Sequence, residues 1–329
     1  MLLHFVFPHF VFPHVVFPHV NRSLRWGSLL SLSLLAAGWA APAMAQVKLE
    51  HKFVEGRKTV TQTTMKIKQT LTLAGRVSEN ESDRFVISSS EVGKRDAEGK
   101  VRVEEKTDKL TITSKLPGGN TLTFDSDDLN KKADNPALEP FMQVMRAVVK
   151  SKPVFVRDQS GKVVAVEGLD KTAEEVPEEF RGEFDPEQTK KSANQEMETL
   201  PNMSVKVGDT WTKDADLPLG SGQIMAMTTE YKYLGEVKEG GKTFDKIEAK
   251  ITAVTFSIAE NSKLLVKVTK SDLKPTESSK TMLFDREAGQ FQSTKGKLRI
   301  QGAIELSSNG QNFPGELDLT IEGETVRQP

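Results

Sequence analysis

The apolar residues of this chain alternate with polar residues over long stretches. Met65, Ile67, Leu71 and Leu73 all occupy odd positions, and lysines and threonines fill most of the even positions between them. A period of two places alternate side chains on opposite faces of a strand, so this pattern predicts strands with one buried and one solvated face. The same reading over the chain predicts about 14 strands, beginning with a short one at 47–53.

Short turn sequences separate most neighbouring strands. The pairs 118–119 and 240–241 are Gly-Gly, and 309–310 is Asn-Gly. Such pairs predict hairpins and therefore antiparallel strands. After Ile251 the apolar positions change from odd to even numbers, which predicts a β-bulge near Ala253, because one extra residue exchanges the two faces of a strand.

Two stretches break the alternation and predict helices. Asn135 and Pro136 suit the cap and first position of a helix at about 136–150, which then carries apolar residues at helical spacing. Residues 169–199 are acidic and polar, and they predict a polar helical connector. The predicted fold class is mainly β with a few helices, in which long antiparallel hairpins form curved sheets or half-barrel lobes.

These elements divide the chain into four predicted segments. They are a leader (1–45), an N-terminal β-rich lobe (46–168), a helical acidic connector (169–199) and a C-terminal β-rich lobe (200–329). A single large curved sheet with helices laid on one face is the alternative arrangement.

The predicted leader has the three parts of a secretory signal peptide. Arg22 and Arg25 precede an apolar run, and Ala43 and Ala45 place small side chains at the −3 and −1 positions of a cleavage site before Gln46. The run is shorter than the roughly 20 residues that a membrane-spanning helix needs, so no permanent membrane anchor is expected. We therefore expect export to the periplasm or the extracellular space.

The first 19 residues contain a His-Phe-Val-Phe-Pro repeat that does not recur later. It is typical either of a histidine-rich metal-binding tract or of translated upstream sequence. In the second case translation begins near Val20, which leaves a signal peptide of ordinary length. The second interpretation is favoured.

Composition excludes several kinds of chemistry. The chain has 45 Lys and Arg, 46 Asp and Glu and no Cys, and the leader carries two charges, both positive, so its removal shifts the net charge from −1 to −3. This balance argues against a nucleic-acid partner. After the leader one histidine remains, His51, and the absence of cysteine excludes disulfides and thiolate sites. We expect a non-enzymatic protein without a cofactor.

One acidic cluster resembles the start of a calcium-binding loop. Asp125, Asp127 and Asp128 offer carboxylate oxygens, but the later ligands of such a loop are missing. A solvated loop is the favoured interpretation, and no metal is expected. These three residues are the candidate ligands if a metal does bind there.

A group of aromatic and methionine residues is the weak candidate for a ligand site. Met225, Met227, Tyr231 and Tyr233 share one strand face, and Trp211 follows a turn earlier in the chain. Such a soft, apolar surface suits an apolar ligand. The alternative is that these side chains fill the core beneath the 136–150 helix.

Three segments carry a resemblance to a known family. They are 49–56 (LEHKFVEG), 152–168 (KPVFVRDQSGKVVAVEG) and 200–211 (LPNMSVKVGDTW). They resemble recurrent lines in an uncharacterised bacterial family of secreted β-rich proteins, a domain of unknown function. A looser similarity is to half-barrel lipoprotein-carrier proteins, in which a curved antiparallel sheet holds acyl chains against helices. The resemblance implies export and a β-sheet with helices, without functional residues to carry over.

The sequence therefore favours an exported, non-enzymatic protein of the cell envelope. The expected role is binding of an apolar ligand or an envelope component on a curved sheet face. A structural or scaffolding protein of the envelope is the first alternative. A hydrolase that uses paired carboxylates is the second, because acidic residues are the abundant reactive groups.

Overall fold

The computed structural model describes residues 46–219, 222–260, 262 and 264–328. Within them the strands are β1 (Lys58–Leu73), β2 (Arg76–Arg95), β3 (Val101–Lys115), β4 (Thr121–Asp125), β5 (Val154–Arg157), β6 (Val163–Glu167), β7 (Thr210–Pro218), β8 (Gln223–Glu239), β9 (Lys242–Ile258), β10 (Lys267–Asp285), β11 (Gln290–Ser308) and β12 (Gln311–Arg327). The helices are α1 (Glu139–Lys150), α2 (Leu169–Glu174) and α3 (Pro186–Met197), and short 3-10 segments lie at Pro117–Gly119, Pro136–Leu138 and Glu178–Phe184.

The twelve strands of these described ranges form one curved, unclosed antiparallel sheet. Its order is β6-β5-β3-β2-β1-β12-β11-β10-β9-β8-β7, and β4 pairs with β3 off this path. The predicted mainly β, antiparallel fold class is confirmed. The first and last long strands, β1 and β12, lie side by side over thirteen paired positions, so segments 46–168 and 200–329 contribute to the same sheet. Their division into separate lobes stays a prediction.

Strand β3 shares one of its edges between two partners. Residues 111–115 pair with β4, and residues 101–104 pair with β5. The chain between these two partners contains α1, which packs back on β3 through Met142 and Met145. The predicted helix at 136–150 is confirmed as a 3-10 turn, Pro136–Leu138, that leads into α1. Asn135 caps this turn by accepting a hydrogen bond from the Ala137 amide at 3.0 Å.

Several local predictions are also confirmed. The hairpins at 118–119, 240–241 and 309–310 join β3 to β4, β8 to β9 and β11 to β12. Strand β9 has its register shift at Thr252, between the partners of Thr228 and Thr229, which is next to the predicted bulge at Ala253. One strand prediction is wrong, because 47–53 is irregular apart from a single bridge between Val47 and Val205. The described residues hold twelve strands where about 14 were expected, and the 47–53 segment is one of the strands that did not form.

We define the inner face of the sheet as the one that carries its buried apolar side chains. Leu71 of β1 and Leu319 of β12 join a buried cluster with Met227 of β8 and Phe256 of β9. Strands from the middle of the sheet and from its β7 end therefore face one another across the interior. Burial of this apolar surface is the main stabilising contribution to the curved arrangement.

The helices cover the inner face at the other end of the sheet. The predicted connector at 169–199 is helical, and Asp185 caps α3 by accepting a hydrogen bond from the Gln188 amide at 2.9 Å. The connector also buries Leu169, Phe180 and Phe184 in a cluster with β5 and β6. The contribution of the connector to the core is not evident from its polar composition, because only a few large apolar side chains make the buried contacts.

The outer face carries ion pairs between neighbouring strands. Glu81 of β2 lies 3.0 Å from Lys68 of β1 and 3.2 Å from Lys115 of β3. Exposed pairs of this kind add little stability individually. They account for the polar half of the alternation in the sequence.

Candidate ligand-binding cavity on the inner face

Trp211 and Tyr231 form one wall of the inner face. Their rings stack with centroids 5.6 Å apart and planes within 8°. The Trp211 indole donates a hydrogen bond from Nε1 to the Thr199 carbonyl at 3.0 Å, which satisfies its polar group. Tyr231 is buried, and burial raises the pKa of its phenol above the ordinary value.

The other three sequence candidates lie in the core. Met225 and Met227 are almost fully buried in the apolar cluster of the inner face. Tyr233 is also buried, and its hydroxyl donates to Asp245 Oδ1 at 2.6 Å. The guanidinium of Arg286 pairs with the same carboxylate. These three side chains therefore fill the core, as the alternative interpretation expected, but the position beneath the 136–150 helix was wrong, because their clusters contain no residue of α1. Their part in ligand binding stays a prediction.

A cavity of about 70 Å³ opens on the inner face beside Tyr231. Six strands contribute to it, namely β1, β8, β9, β10, β11 and β12. Its apolar lining comes from Met65, Tyr231, Ala249, Ile251, Leu298 and Ile321. Hydroxyl groups from Thr63, Thr229, Ser278, Thr294 and Thr325 line it as well. This is an apolar pocket with a few polar groups, the usual composition of a small-molecule site.

The position of the cavity follows from one row of residues across the sheet. The row is made of direct cross-strand partners, which share a face. In order from β7 to β3 it contains Trp211, Tyr231, Ala249, Lys280, Gly296, Gly323, Met65, Arg84 and Ile112. Three small residues interrupt a row of large ones, so the inner face is hollow at Ala249, Gly296 and Gly323.

The two glycines of the row differ in what they tolerate. A Cβ atom on Gly296 would lie 3.0 Å from the Ser279 carbonyl oxygen and 3.2 Å from the Lys280 Cβ, so the neighbouring strand approaches too closely for a side chain. A Cβ atom on Gly323 would meet its nearest neighbour, the Thr64 carbonyl oxygen, at an ordinary 3.6 Å. Gly323 is therefore the position where a side chain would fill the cavity without displacing backbone.

Lys280 is the charged side chain that the row brings to the cavity. It is half-buried, and burial lowers its pKa to about 8. Glu196 of α3 faces it and acts in the opposite direction, toward a higher pKa. Because the pKa remains lowered, the attraction of Glu196 does not make up for the loss of water around the ammonium group.

A second cation, Arg84, lies on the same face on the far side of Met65. Its Nε donates to Ser82 Oγ at 3.4 Å, and Ser82 Oγ also accepts a hydrogen bond from Ser114 at 2.8 Å. Burial lowers the pKa of Arg84 to about 10. Within the described residues it forms no ion pair. The cavity is thus flanked by two positively charged groups.

Sequence reasoning did not single out Lys280, Arg84, Gly296 or Gly323. The two cations could have been found from their positions in the alternating pattern of apolar and polar residues. Lys280 is two residues before the buried Met282, and Arg84 is two residues before the buried Val86, so both lie on the apolar face of their strands. The glycines carry no such signal, because the cavity forms only when its six strands lie side by side in the sheet.

The acidic cluster at the end of β4 is held by a lysine. Lys109 lies 2.6 Å from Asp125 and also contacts Asp127, and this ammonium group lowers the pKa of Asp125. Asp128 accepts backbone hydrogen bonds within its turn, from Asn130 and Lys131. Among the described residues no group of three or more acidic or histidine side chains is arranged to hold a metal ion.

His51 is half-buried against two aromatic rings, Phe284 and Phe291, with centroids 5.8 and 5.7 Å away. Burial lowers its pKa to about 4, and the charge of Arg157 acts in the same direction. A neutral, enclosed imidazole of this kind has a packing role.

The fold and cavity define the molecule as a curved antiparallel β-sheet protein with a lined hollow on its inner face. The chain belongs to a family of unknown function (DUF6263), whose model matches residues 98–291, more than half of its length. The predicted membership of a β-rich family of unknown function is confirmed. No significant match was found among curated proteins.

Three solved structures illustrate what the chain is similar to. Lipovitellin, in a structure of its lipid–protein interactions, is 10% identical, with 84% of this chain and 26% of that chain covered and a TM-score of 0.40. This chain therefore spans about a quarter of the lipovitellin chain. DynF, from the dynemicin biosynthesis pathway of Micromonospora chersina, is 8% identical over 91% and 92% of the two chains, with a TM-score of 0.20. A DUF1329 family protein from Desulfovibrio piger is 6% identical over 80% and 84%, with a TM-score of 0.12.

The remaining sequence predictions concern the leader. Arg22, Arg25, Ala43 and Ala45 lie outside the described residues, and so does the His-Phe-Val-Phe-Pro repeat. None of the helices in the described part of the chain combines the length and the hydropathy that crossing a bilayer requires.

Proposed function

We propose that this protein is an exported, non-enzymatic protein of the cell envelope that binds an apolar ligand in the inner-face cavity. The observation that carries the proposal is the hollow in the cross-strand row, where Gly296 and Gly323 stand between large side chains. Protein interiors are ordinarily close-packed, so a lined hollow in a sheet of long strands favours a binding role over simple core packing.

The lining of the cavity favours binding over hydrolysis. A glycosidase-type mechanism needs two carboxyl groups on either side of the reacting bond. Glu324 is the one acidic residue in the described lining, and it pairs with Lys295 at 3.1 Å. A single carboxylate cannot fill both roles of such a mechanism.

Export to the periplasm or the extracellular space is the second part of the proposal. Its support is the order of residues in the leader, in which Arg22 and Arg25 come before the apolar run and Ala43 and Ala45 after it. Cleavage after Ala45 would leave a chain that begins at Gln46, shortly before the first residues of the folded part.

The binding proposal is tested by filling the cavity from Gly323. We expect Gly323→Val to fold and to lose affinity for the neutral short-chain probe 1-octanol by about tenfold or more, because its methyl groups occupy the space that the probe would enter. Isothermal titration calorimetry measures the affinity, and thermal unfolding checks the fold.

The matched control is Gly182→Val, at an exposed glycine with no atom within 4 Å of its Cβ position. This variant is expected to bind the probe as the wild type does. Equal affinity in Gly323→Val and wild type, or no probe binding by folded wild-type protein, would contradict the proposed function.

A further inference from the structure

The charges around the cavity are unequal. Lys280 lines it from β10, and Arg84 flanks it from β2, four strands away. Neighbouring strands lie about 4.8 Å apart, so the two Cα positions are separated by roughly 19 Å along the sheet, and by less across its concave side. Both side chains are long, and both lie on the face that contains the cavity.

One carboxylate acts on two of the cations in this part of the molecule. Glu196 of α3 faces Lys280, and it also acts on Arg157, a buried cation nearby. Glu105 is the other carboxylate that acts on Arg157. The lining also contains Lys297 and Glu324, and these two are paired with Glu277 and Lys295, each at 3.1 Å.

A cation on an otherwise apolar strand face costs desolvation free energy when the protein folds. Methionine or leucine at position 280 would pack against the same neighbours without the desolvation cost of an ammonium group. Both Lys280 and Arg84 occupy positions on the apolar face of their strands, where an apolar side chain would fit. Charged groups kept at such positions beside a cavity point to a charged ligand.

We propose that the ligand is an amphiphile with an anionic head group, such as a carboxylate on a short acyl chain. Lys280 contacts the head group, and Arg84 adds positive potential from the β2 side. The apolar chain lies against Met65, Ile251 and Ile321. This inference rests on the proposed function, because it concerns the same cavity.

The size of the cavity limits the part of the ligand that it holds. A volume of about 70 Å³ accommodates a head group and a short apolar segment. Short-chain probes therefore suit the test. Octanoate, 1-octanol and octylammonium have the same chain and differ in the charge of the head group.

The test compares these three probes by isothermal titration calorimetry at pH 7. Octanoate is expected to bind wild-type protein at least about tenfold more tightly than 1-octanol, which is the usual contribution of one charge-assisted hydrogen bond. Octylammonium is expected to bind more weakly than either, since it meets like charges.

Variants of Lys280 and Arg84 test which residue causes the preference for octanoate over 1-octanol. Lys280→Met is expected to bring the octanoate affinity down to the affinity of the same variant for 1-octanol, and Lys280→Arg is expected to keep most of the preference. Arg84→Met is expected to reduce the preference by a smaller factor, because Arg84 flanks the cavity and does not line it. Lys274→Met is the matched control, since Lys274 is on the same strand with its side chain exposed and paired with Asp272.

The outcomes separate this inference from the function on which it rests. If 1-octanol binds as tightly as octanoate and Lys280→Met changes neither, the anionic head group is wrong and apolar binding stands. Tightest binding of octylammonium would also overturn the inference. If none of the three probes binds folded wild-type protein, the proposed function itself fails.

Discussion

The ammonium group of Lys280 is held on the apolar face of β10, where burial lowers its pKa to about 8. An unfolded chain gives lysine its ordinary pKa of about 10.5, so between these two pH values the unfolded state binds more protons than the folded state. The stability contributed by this site therefore rises with pH across that window. At pH 7 the folded protein carries the full unfavourable contribution.

Replacement of Lys280 by methionine removes this contribution. We expect Lys280→Met to raise the free energy of unfolding of the ligand-free protein at pH 7 by about 1 kcal/mol, a modest value because the side chain is partly exposed. The gain should shrink as the pH approaches 10.5. Urea unfolding at pH 7 and pH 10 measures it, with Lys274→Met as the control.

A destabilised Lys280→Met at pH 7, or a gain in the free energy of unfolding that is the same at both pH values, would show that Lys280 is a stabilising structural residue.

At the residue scale, the sequence could place both Lys280 and Arg84 on the inner face from their positions in the alternating pattern. It could not show that they flank a cavity, because Arg84 and Lys280 are brought together through three intervening strands.

The strands and hairpins were largely predictable, since each depends on residues close together in the chain. Asn309 and Gly310 both have positive φ, 50° and 77°, as the hairpin turn between β11 and β12 requires. The bulge at Thr252 was visible in the change of apolar phase. The strand predicted at 47–53 was wrong because alternation alone does not supply a hydrogen-bonding partner. In this segment the structure has a single bridge, between Val47 and Val205.

At the scale of a strand pair, Gly302 of β11 marks the closest approach to β10. Its φ is 151°, and a Cβ atom there would lie 2.0 Å from the Asp272 carbonyl oxygen. We expect Gly302→Ala to lower the free energy of unfolding by about 2–4 kcal/mol, because β10 and β11 would have to separate. Chemical denaturation measures the change.

Gly323→Ala on the adjacent strand is the control for this prediction. Its Cβ position has ordinary contacts, so its free energy of unfolding should stay within about 1 kcal/mol of the wild-type value. Equal effects of the two substitutions would mean that the approach of β10 to Gly302 does not limit the packing of the sheet.

The whole molecule depends on one long-range pairing, that of β1 with β12. This pairing places Met65 beside Gly323, and Gly323 lies beside Gly296 on β11. The cavity is therefore assembled from the two ends of the described chain. Sequence reasoning identified Tyr231 on its wall but not the cavity, since no local pattern states that β1 and β12 are neighbours.

The central claim is that the cavity holds an apolar ligand, and native mass spectrometry of the protein recovered from its host tests it most directly. The account predicts that wild-type protein carries an additional small mass, which denaturation removes, and that Gly323→Val lacks it. The denatured chain should have the mass of residues 46–329. Wild-type spectra without a bound species, or the same bound mass in Gly323→Val, would contradict the claim.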